Sequence, residues 1–432
     1  MATKNDKVNL NIIGTTGLRR EDGYIYDEWL PQLKGDNRNK VYRQMRDNDA
    51  IVGAFMYAVE SLVRQVHYYV KPANKTTEAA EQAKFVETCL GDMSHTLSDL
   101  LSEILTMLVY GWSYFEVVYK VRAGSKNKKA SHRSRYDDGK IGWRKISQRA
   151  QNTLDHWEFD DDGGIRGMWQ QDPNAGNYGK ASIVYLPIER SLLFRTQTNR
   201  NNPEGRSILR NAYRSWYFMK KLQEIEAIGI ERDLSGLPVL EVPPEIMSAD
   251  ASASDKTLRT DLEKLVQQIK RDEREGMVIP SELDTEGNPT GYRFRLLNSG
   301  GRRAVDVDAA IKRYESRMAM SMMAEFLLLG MDKVGSFALA STKTHLFSVA
   351  LGTVIDSVCQ TFSRFAIGKL MELNGVAPDI WPTLEHGDIE APELKEIATY
   401  VTSLSDAGIL VPDEKLELRM RELANLPVPE DV

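Results

Sequence analysis

The sequence predicts an α+β chain in which two long helices bracket a small α/β insert carried on a mixed body. Three observations predict this. Apolar residues recur three and four apart through 207–234 and again from about 306 to 330, which is the helical period. Between those stretches, LPVLEVP, GMVIP and GYRFRLL read as short strands around one charged helix from about Asp255 to Arg274. Upstream, GWSYFEVVYKV and the region 154–197 alternate as strands do.

The elements follow in order. VYRQMRDNDAIVGAFMYAVESLVRQV predicts an amphipathic helix from Val41 to about Val66, leading into the extended segment HYYVKPA. Two further helices cover roughly Thr77–Leu90 and Leu97–Tyr110, and GWSYFEVVYKV then forms a strand. From Lys120 to Lys145, ten Lys/Arg stand against Asp137 and Asp138, which predicts an exposed, solvated loop or a face for another protein. LDHWEFDDDGGIRGMWQQ is a hairpin by its turn chemistry, and ASIVYLPIERSLLFRTQ continues as strand to about Gln197.

After Pro203 and Gly205, Ser207 is placed to cap a helix of nearly thirty residues, about 40 Å long at 1.5 Å per residue, ending near Ser235-Gly236. The insert closes at Asn298-Ser299-Gly300-Gly301. A second long helix starts near Asp306 and runs to Gly330, and an apolar helix covers about Ser341 to Glu372. Pro378, Pro382 and Pro392 then break the chain into short helices, ELKEIATYVTSLSDAG and PDEKLELRMRELA.

Length and composition bound the class. The 432 residues, 42% hydrophobic and 27% charged, suffice for more than one packed unit. Two cysteines, Cys89 and Cys359, give neither a disulfide framework nor a zinc set and read as packed thiols of a reducing compartment. No run reaches the roughly 18 uninterrupted apolar residues of a membrane span, so no membrane partner is expected. Net charge is −6, yet the region after Ala377 carries −9 against about +3 for the rest, an asymmetry that suggests an assembly or polyanion partner.

Motifs for chemistry are mostly missing. Gly330-Met-Asp-Lys-Val-Gly335 has the glycine spacing of a phosphate loop, but Ser336-Phe337 follow where Lys and Ser/Thr are needed, and a helix precedes it. Asp160, Asp161 and Asp162 are the best case for a metal-dependent nuclease or phosphotransferase, but neighbouring residues of a turn point apart, so a solvated hairpin tip suffices. The histidines show no paired spacing, and His345 reads as helix surface. No metal, cofactor or catalytic residue is assigned. Tyr213, Trp216, Tyr217 and Phe218 with Met318, Met320, Met322 and Met323 are either a core within the chain or, as the fuller reading, faces that pack against further copies.

Three stretches carry a resemblance: RDNDAIVGAFMYAVESLVRQVHYYVKPA, GRSILRNAYRSWYFMKKLQEIEAIGIERDLSGLPVLEVP and AAIKRYESRMAMSMMAEFLLLGMDKVGSFALASTKTHLF. Their order and character resemble the portal proteins of tailed bacteriophages, and those of Mu-like phages in particular. The resemblance implies a portal-type ring subunit: an α/β wing over 1–205, stem helices over 206–235 and 304–329, a clip over 236–303, and a tunnel loop over 330–340. A tunnel/wing helix over 341–376 and a short helical crown over 377–432 complete it. It also implies a ring of twelve copies at one capsid vertex of the virion, assembled in host cytoplasm and conducting double-stranded DNA. Its partners would be the large terminase subunit, a head–tail neck protein, and the major capsid and scaffold proteins.

On this reading Gly330, Asp332, Lys333, Val334, Gly335, Ser336 and Lys343 face the DNA channel. Trp216, Tyr217, Met318 and Met322 serve stem self-association, and Lys264, Lys270, Arg271 and Arg274 dock partners at the clip. Asp332 and Lys333 also admit a plainer role as solvated loop residues. A head–tail adaptor ring without a DNA-contacting loop is the other structural alternative.

Overall fold

The computed structural model describes residues 16–172, 183–235, 237–268, 281–283, 285, 289–291, 293–297, 306–324, 337–389, 394–411, 413, 416–417 and 420–421. It divides into two compact units, residues 1–210 with 321–432, and residues 211–320.

The larger unit opens with a small hairpin, β1 (Arg20–Glu21) and β2 (Tyr24–Ile25), then α1 (Gly35–Asn48) and α2 (Ala50–Gln65). The single helix expected over Val41–Val66 is two. Asp49 is extended, and its carboxylate accepts the N–H groups of Ile51 and Val52 at 3.0 Å each, so it caps α2 and breaks the run that periodicity joined. β3 (Tyr68–Lys71) follows, then α3 (Thr77–Gly91), α4 (Leu97–Ile104) and α5 (Thr106–Tyr110). A reciprocal Thr96/Asp99 cap starts α4.

β4 (Trp112–Ala123) is the central strand of a sheet ordered β5–β4–β9, with β5 at Asp137–Arg149 and β9 at Ser191–Arg195. β6 (Leu154–Phe159), β7 (Ile165–Gln171) and β8 (Ile183–Pro187) form a second antiparallel sheet. The expected hairpin stands, with its tip closed by hydrogen bonds between Asp160 and Gly164. Trp112, Tyr114, Trp157, Met168 and Leu186 make a buried cluster, and Trp112 meets Trp157 edge to face at 5.1 Å.

α10 (Phe337–Thr361), a π-helical turn over Phe362–Ile367 and α11 (Gly368–Leu373) form one continuous helical run. Phe347, Leu351, Ile355, Val358 and Phe362 are buried at helical spacing along it, worth about 1.5–3 kcal/mol each. Phe347 packs on Phe55, and Phe362 on the fully buried Trp143. His345–Leu373 is long and apolar enough to cross a membrane by length and composition. Its buried stripe, and the presence of Asp356, Arg364, Lys369 and Glu372, suit a core helix of this unit. β14 (Thr383–His386), which the sequence did not announce, pairs antiparallel with β3, and α12 (Leu394–Asp406) follows.

In the smaller unit, α6 (Leu209–Ser235) is the expected long helix, although its first residues belong to the larger unit. Ser207 is placed as expected, its hydroxyl accepting the Leu209 N–H at 3.0 Å. β10 (Leu237–Glu241), α7 (Pro244–Met247), α8 (Ala253–Gln268), β11 (Ser281–Leu283), β12 (Pro289–Gly291) and β13 (Arg293–Leu297) make the α/β insert, with β10 antiparallel to β13. The expected strand GMVIP lies outside the described residues. α9 (Val307–Ser321) is shorter than expected. Met323 has φ +57°, a left-handed conformation that a right-handed helix cannot contain, so α9 does not continue through it, and residues 325–330 lie outside the described ones.

Candidate functional site

The residues singled out from sequence fall in three places. The channel segment Gly330, Asp332, Lys333, Val334, Gly335 and Ser336 lies outside the described residues. Lys343 falls within α10, which begins at Phe337. The last four positions of the loop expected over 330–340 are therefore helical, and the helix expected from Ser341 starts earlier. His345 is exposed on that helix, as expected. Of the clip cations, Lys264 is exposed on α8, while Lys270, Arg271 and Arg274 lie outside the described residues.

The self-association set needs correction. Trp216, Met318 and Met322 are 6%, 0% and 5% exposed in the single chain, so three of the four point inward and give no face to another copy. Tyr217, 43% exposed, remains at the surface with Phe218, Ile225 and Ile228 of the same helix and Met320 of α9. Phe218 stacks on Tyr314 at 6.2 Å, which joins α6 to α9. Periodicity located the helices but not which apolar stripe faces inward, because both helices are apolar on more than one side.

The root of α6 is held by chemistry that sequence reasoning missed. Gly111 and Gly205 both have positive φ, and a Cβ on Gly205 would meet the Gly111 carbonyl oxygen at 2.1 Å. Thr196 donates its N–H to that same oxygen at 3.0 Å, and Ile208 donates to the Leu108 carbonyl. Arg210 makes a bidentate pair with Glu28, its Nε and Nη2 donating at 2.5 and 2.8 Å. Burial pushes the Glu28 carboxyl up, but the Arg210 hydrogen bond and charge and the backbone N–H groups of Leu30 and Trp29 outweigh it, leaving the pKa below the usual value. Arg38 pairs with Glu204, which also accepts from the Trp157 indole at 3.3 Å. Burial pushes the nearby Tyr42 phenol up to about 12. Glu28, Arg38, Tyr42, Trp157, Glu204 and Arg210 line a cleft of about 640 Å³ within the larger unit.

The basic stretch is not a wholly exposed loop, contrary to expectation. Lys120 and Arg122 lie on β4 and are 6% and 2% exposed. Lys120 Nζ reaches the Asp92 carboxylate at 2.9 Å and donates to the carbonyls of Asp92 (2.7 Å) and Arg133 (3.0 Å). Arg122 pairs with Asp138 at 3.1 Å, donates to Thr88 Oγ1 at 2.9 Å and stacks 4.0 Å over the Tyr136 ring. The physical reason is compensation: a cation enters the core when carboxylates and carbonyls satisfy it. Beyond β4, residues 124–136 connect to β5, and Lys126, Lys128, Lys129, Arg133 and Arg135 are exposed there.

Asp160 spends a carboxylate oxygen on the Gly164 N–H, and no group of three or more potential metal ligands exists among the described residues. Cys89 and Cys359 are buried free thiols.

A family model, "Portal protein of Mu bacteriophage", matches residues 40–421. The chain belongs to that portal family. Portal proteins of this family are structural, non-enzymatic capsid components, which overturns the metal-dependent nuclease or phosphotransferase alternative. Solved structures agree on the fold. A chain in the neck of an empty gene transfer agent particle, solved with C6 symmetry, matches with TM-score 0.53 and 12% identity over 90% of this chain and 94% of that one. Chains of a native gene transfer agent neck with C12 symmetry and of the native virion match with TM-scores 0.51 and 0.50 at 11% identity, each over 90% of this chain and 94% of that one.

Proposed function

We propose that this portal-family chain assembles as a ring of twelve at one capsid vertex of the virion and conducts double-stranded DNA during packaging and ejection. Membership of the portal family over residues 40–421 carries the reading, and likeness in fold to chains of a C12-symmetric neck supports it. On this proposal the insert between α6 and α9 is the clip. Lys264, Lys270, Arg271 and Arg274 there meet the large terminase subunit and later the neck protein. The larger unit faces capsid and scaffold proteins during assembly in host cytoplasm.

The segment around 330–336 is the channel loop. Duplex DNA carries one charge per about 1.7 Å, and each neutralised phosphate adds affinity by releasing a counterion. A strongly basic lining would stall a moving duplex. Asp332 offsets Lys333, while Val334 and Ser336 add no charge, so contact with phosphate stays weak. Lys343, near the start of α10, adds one further contact.

Negative-stain imaging of the purified chain tests the assembly, with rings around a central hole expected and monodisperse monomers at high concentration sinking it. Removing residues 330–336 tests conduction: rings persist while packaging or DNA retention is lost. Intact packaging would favour the adaptor ring without a DNA-contacting loop.

A further inference from the structure

The basic surface left over from the stem, clip and channel sits on a braced loop. Residues 124–136 close on themselves through hydrogen bonds from the Gly124 N–H to the Tyr136 carbonyl (2.9 Å) and from the Ser134 N–H to the Gly124 carbonyl (3.3 Å). Ser134 is buried, its hydroxyl donating to the Asp92 carboxylate at 2.6 Å. The backbone is extended at Arg133, so side chains alternate there, and Arg133 and Arg135 turn out to solvent on either side of Ser134. A cavity of about 510 Å³ opens beside them, lined also by Arg144. Lys126, Lys128 and Lys129 are exposed on the same loop, and among the described residues none of these six cations forms an ion pair. Asp92, the acid in the cavity wall, is spent on Lys120 at 2.9 Å, and Asp138 is spent on Arg122 at 3.1 Å. Asp137 then sets one negative charge against six positive ones.

The chemistry of the patch decides what it can bind. A protein partner is held by a desolvated apolar centre, and the cavity wall offers only Met93 and Ala130 among its arginines and serines. A single nucleic-acid strand is held by stacking its bases on aromatic rings. Tyr136 is the only Phe, Trp or Tyr over 124–136, and the Arg122 guanidinium already covers its ring at 4.0 Å. What remains is a set of fork-shaped guanidinium donors and ammonium charges, which suit phosphate oxygens. Duplex DNA carries one such charge per about 1.7 Å, twice the density of a single strand, and offers it with its bases still stacked.

We infer that Lys126, Lys128, Lys129, Arg133, Arg135 and Arg144 form a second nucleic-acid surface, which grips the phosphate backbone of duplex DNA without reading its sequence. This goes beyond the reading above, which puts DNA in the channel alone, and it needs no ring. The two surfaces are opposite in chemistry. In the channel segment Asp332 offsets Lys333 so that a duplex can slide, whereas six cations with little to offset them hold a duplex still.

The test titrates the full-length chain with a short fluorescent duplex, its single strand and polyglutamate at several salt concentrations. Arg133→Gln/Arg135→Gln/Arg144→Gln, with unchanged melting, should weaken duplex binding about tenfold or more and flatten the slope of log affinity against log salt by about 3. Lys40→Gln/Lys75→Gln/Lys256→Gln removes the same charge from other exposed positions and should change neither. In the unmodified chain, duplex should protect Lys126, Lys128 and Lys129 from acetylation, read by mass spectrometry. Equal losses in the two triple variants, or no protection of these lysines, overturn the inference. Polyglutamate binding as tightly as duplex also overturns it, in favour of an acidic protein partner, and so does a single strand binding as tightly. Protection is read in rings and single chains alike. Rings without protection therefore overturn this surface and leave the ring standing, while protection without rings does the reverse.

Discussion

Gly205 and Gly111 touch backbone to backbone where the chain leaves the body for α6, with no room for a β-carbon on either. Gly205→Ala meets a carbonyl oxygen and a positive φ together. Its expected cost is about 2–4 kcal/mol, from left-handed strain and overpacking, read by urea unfolding of the full chain. A change within 0.5 kcal/mol would show that the α6 root can move.

Met318 and Tyr217 should separate packing within the chain from packing between copies. Met318→Ala should destabilise the folded chain by about 2–5 kcal/mol. Tyr217→Ser combined with Met320→Ser removes exposed apolar surface and should leave chain melting nearly unchanged while reducing the ring fraction in sedimentation. Equal loss of both properties in the two variants would contradict this division.

Breaking the Lys120–Asp92 pair leaves a buried charge without its partner. Lys120→Met should cost about 3–5 kcal/mol, and Lys120→Met/Asp92→Leu should recover part of it. The double variant no more stable than the single would refute compensation as the reason Lys120 lies inside.

The Glu28 carboxyl sits below its ordinary value of 4.5, so its contribution to stability is complete above pH 4.5 and is lost as pH falls through the lower, folded-state value. Glu28→Gln has no such group to protonate. Its unfolding free energy should therefore fall less between pH 5 and pH 3 than that of the unmodified chain. Parallel pH profiles would dissociate Glu28 from the α6 root.

Burial pushes the Cys89 thiol up to about 11 and the Cys359 thiol up to about 12. Thiolate is the reactive form, so neither should react with a disulfide reagent at pH 8 until the chain is denatured. Rapid labelling of the native chain would contradict the burial of both.

The long helices, the insert between them and the Asp160–Gly164 hairpin were legible because each is written in local period and turn chemistry. The breaks were not. Asp49 and Met323 interrupt runs whose apolar spacing continues across them, and only backbone geometry shows it. Lys120 and Arg122 stand in a run of cations that reads as a loop, because their pairing with Asp92 and Asp138 is made only by folding. The candidate site is less legible: Trp216, Met318 and Met322 lie on helices apolar on two sides, and such a helix does not state in sequence which side the chain itself covers. A reciprocal signal was present for the α6 root, in Gly111 and Gly205, yet their mutual contact spans distant positions.

The pairing of β3 with β14 has a consequence in time. Tyr69 and Glu385, hydrogen-bonded across it, are 316 positions apart. At roughly 5–20 residues per second, a ribosome needs on the order of 15–60 s between the two strands. Until then β3 waits with an open edge, while the entire 211–320 excursion is already made. A copy truncated before residue 383 would lack the strand that pairs with β3 and would keep that edge open for good.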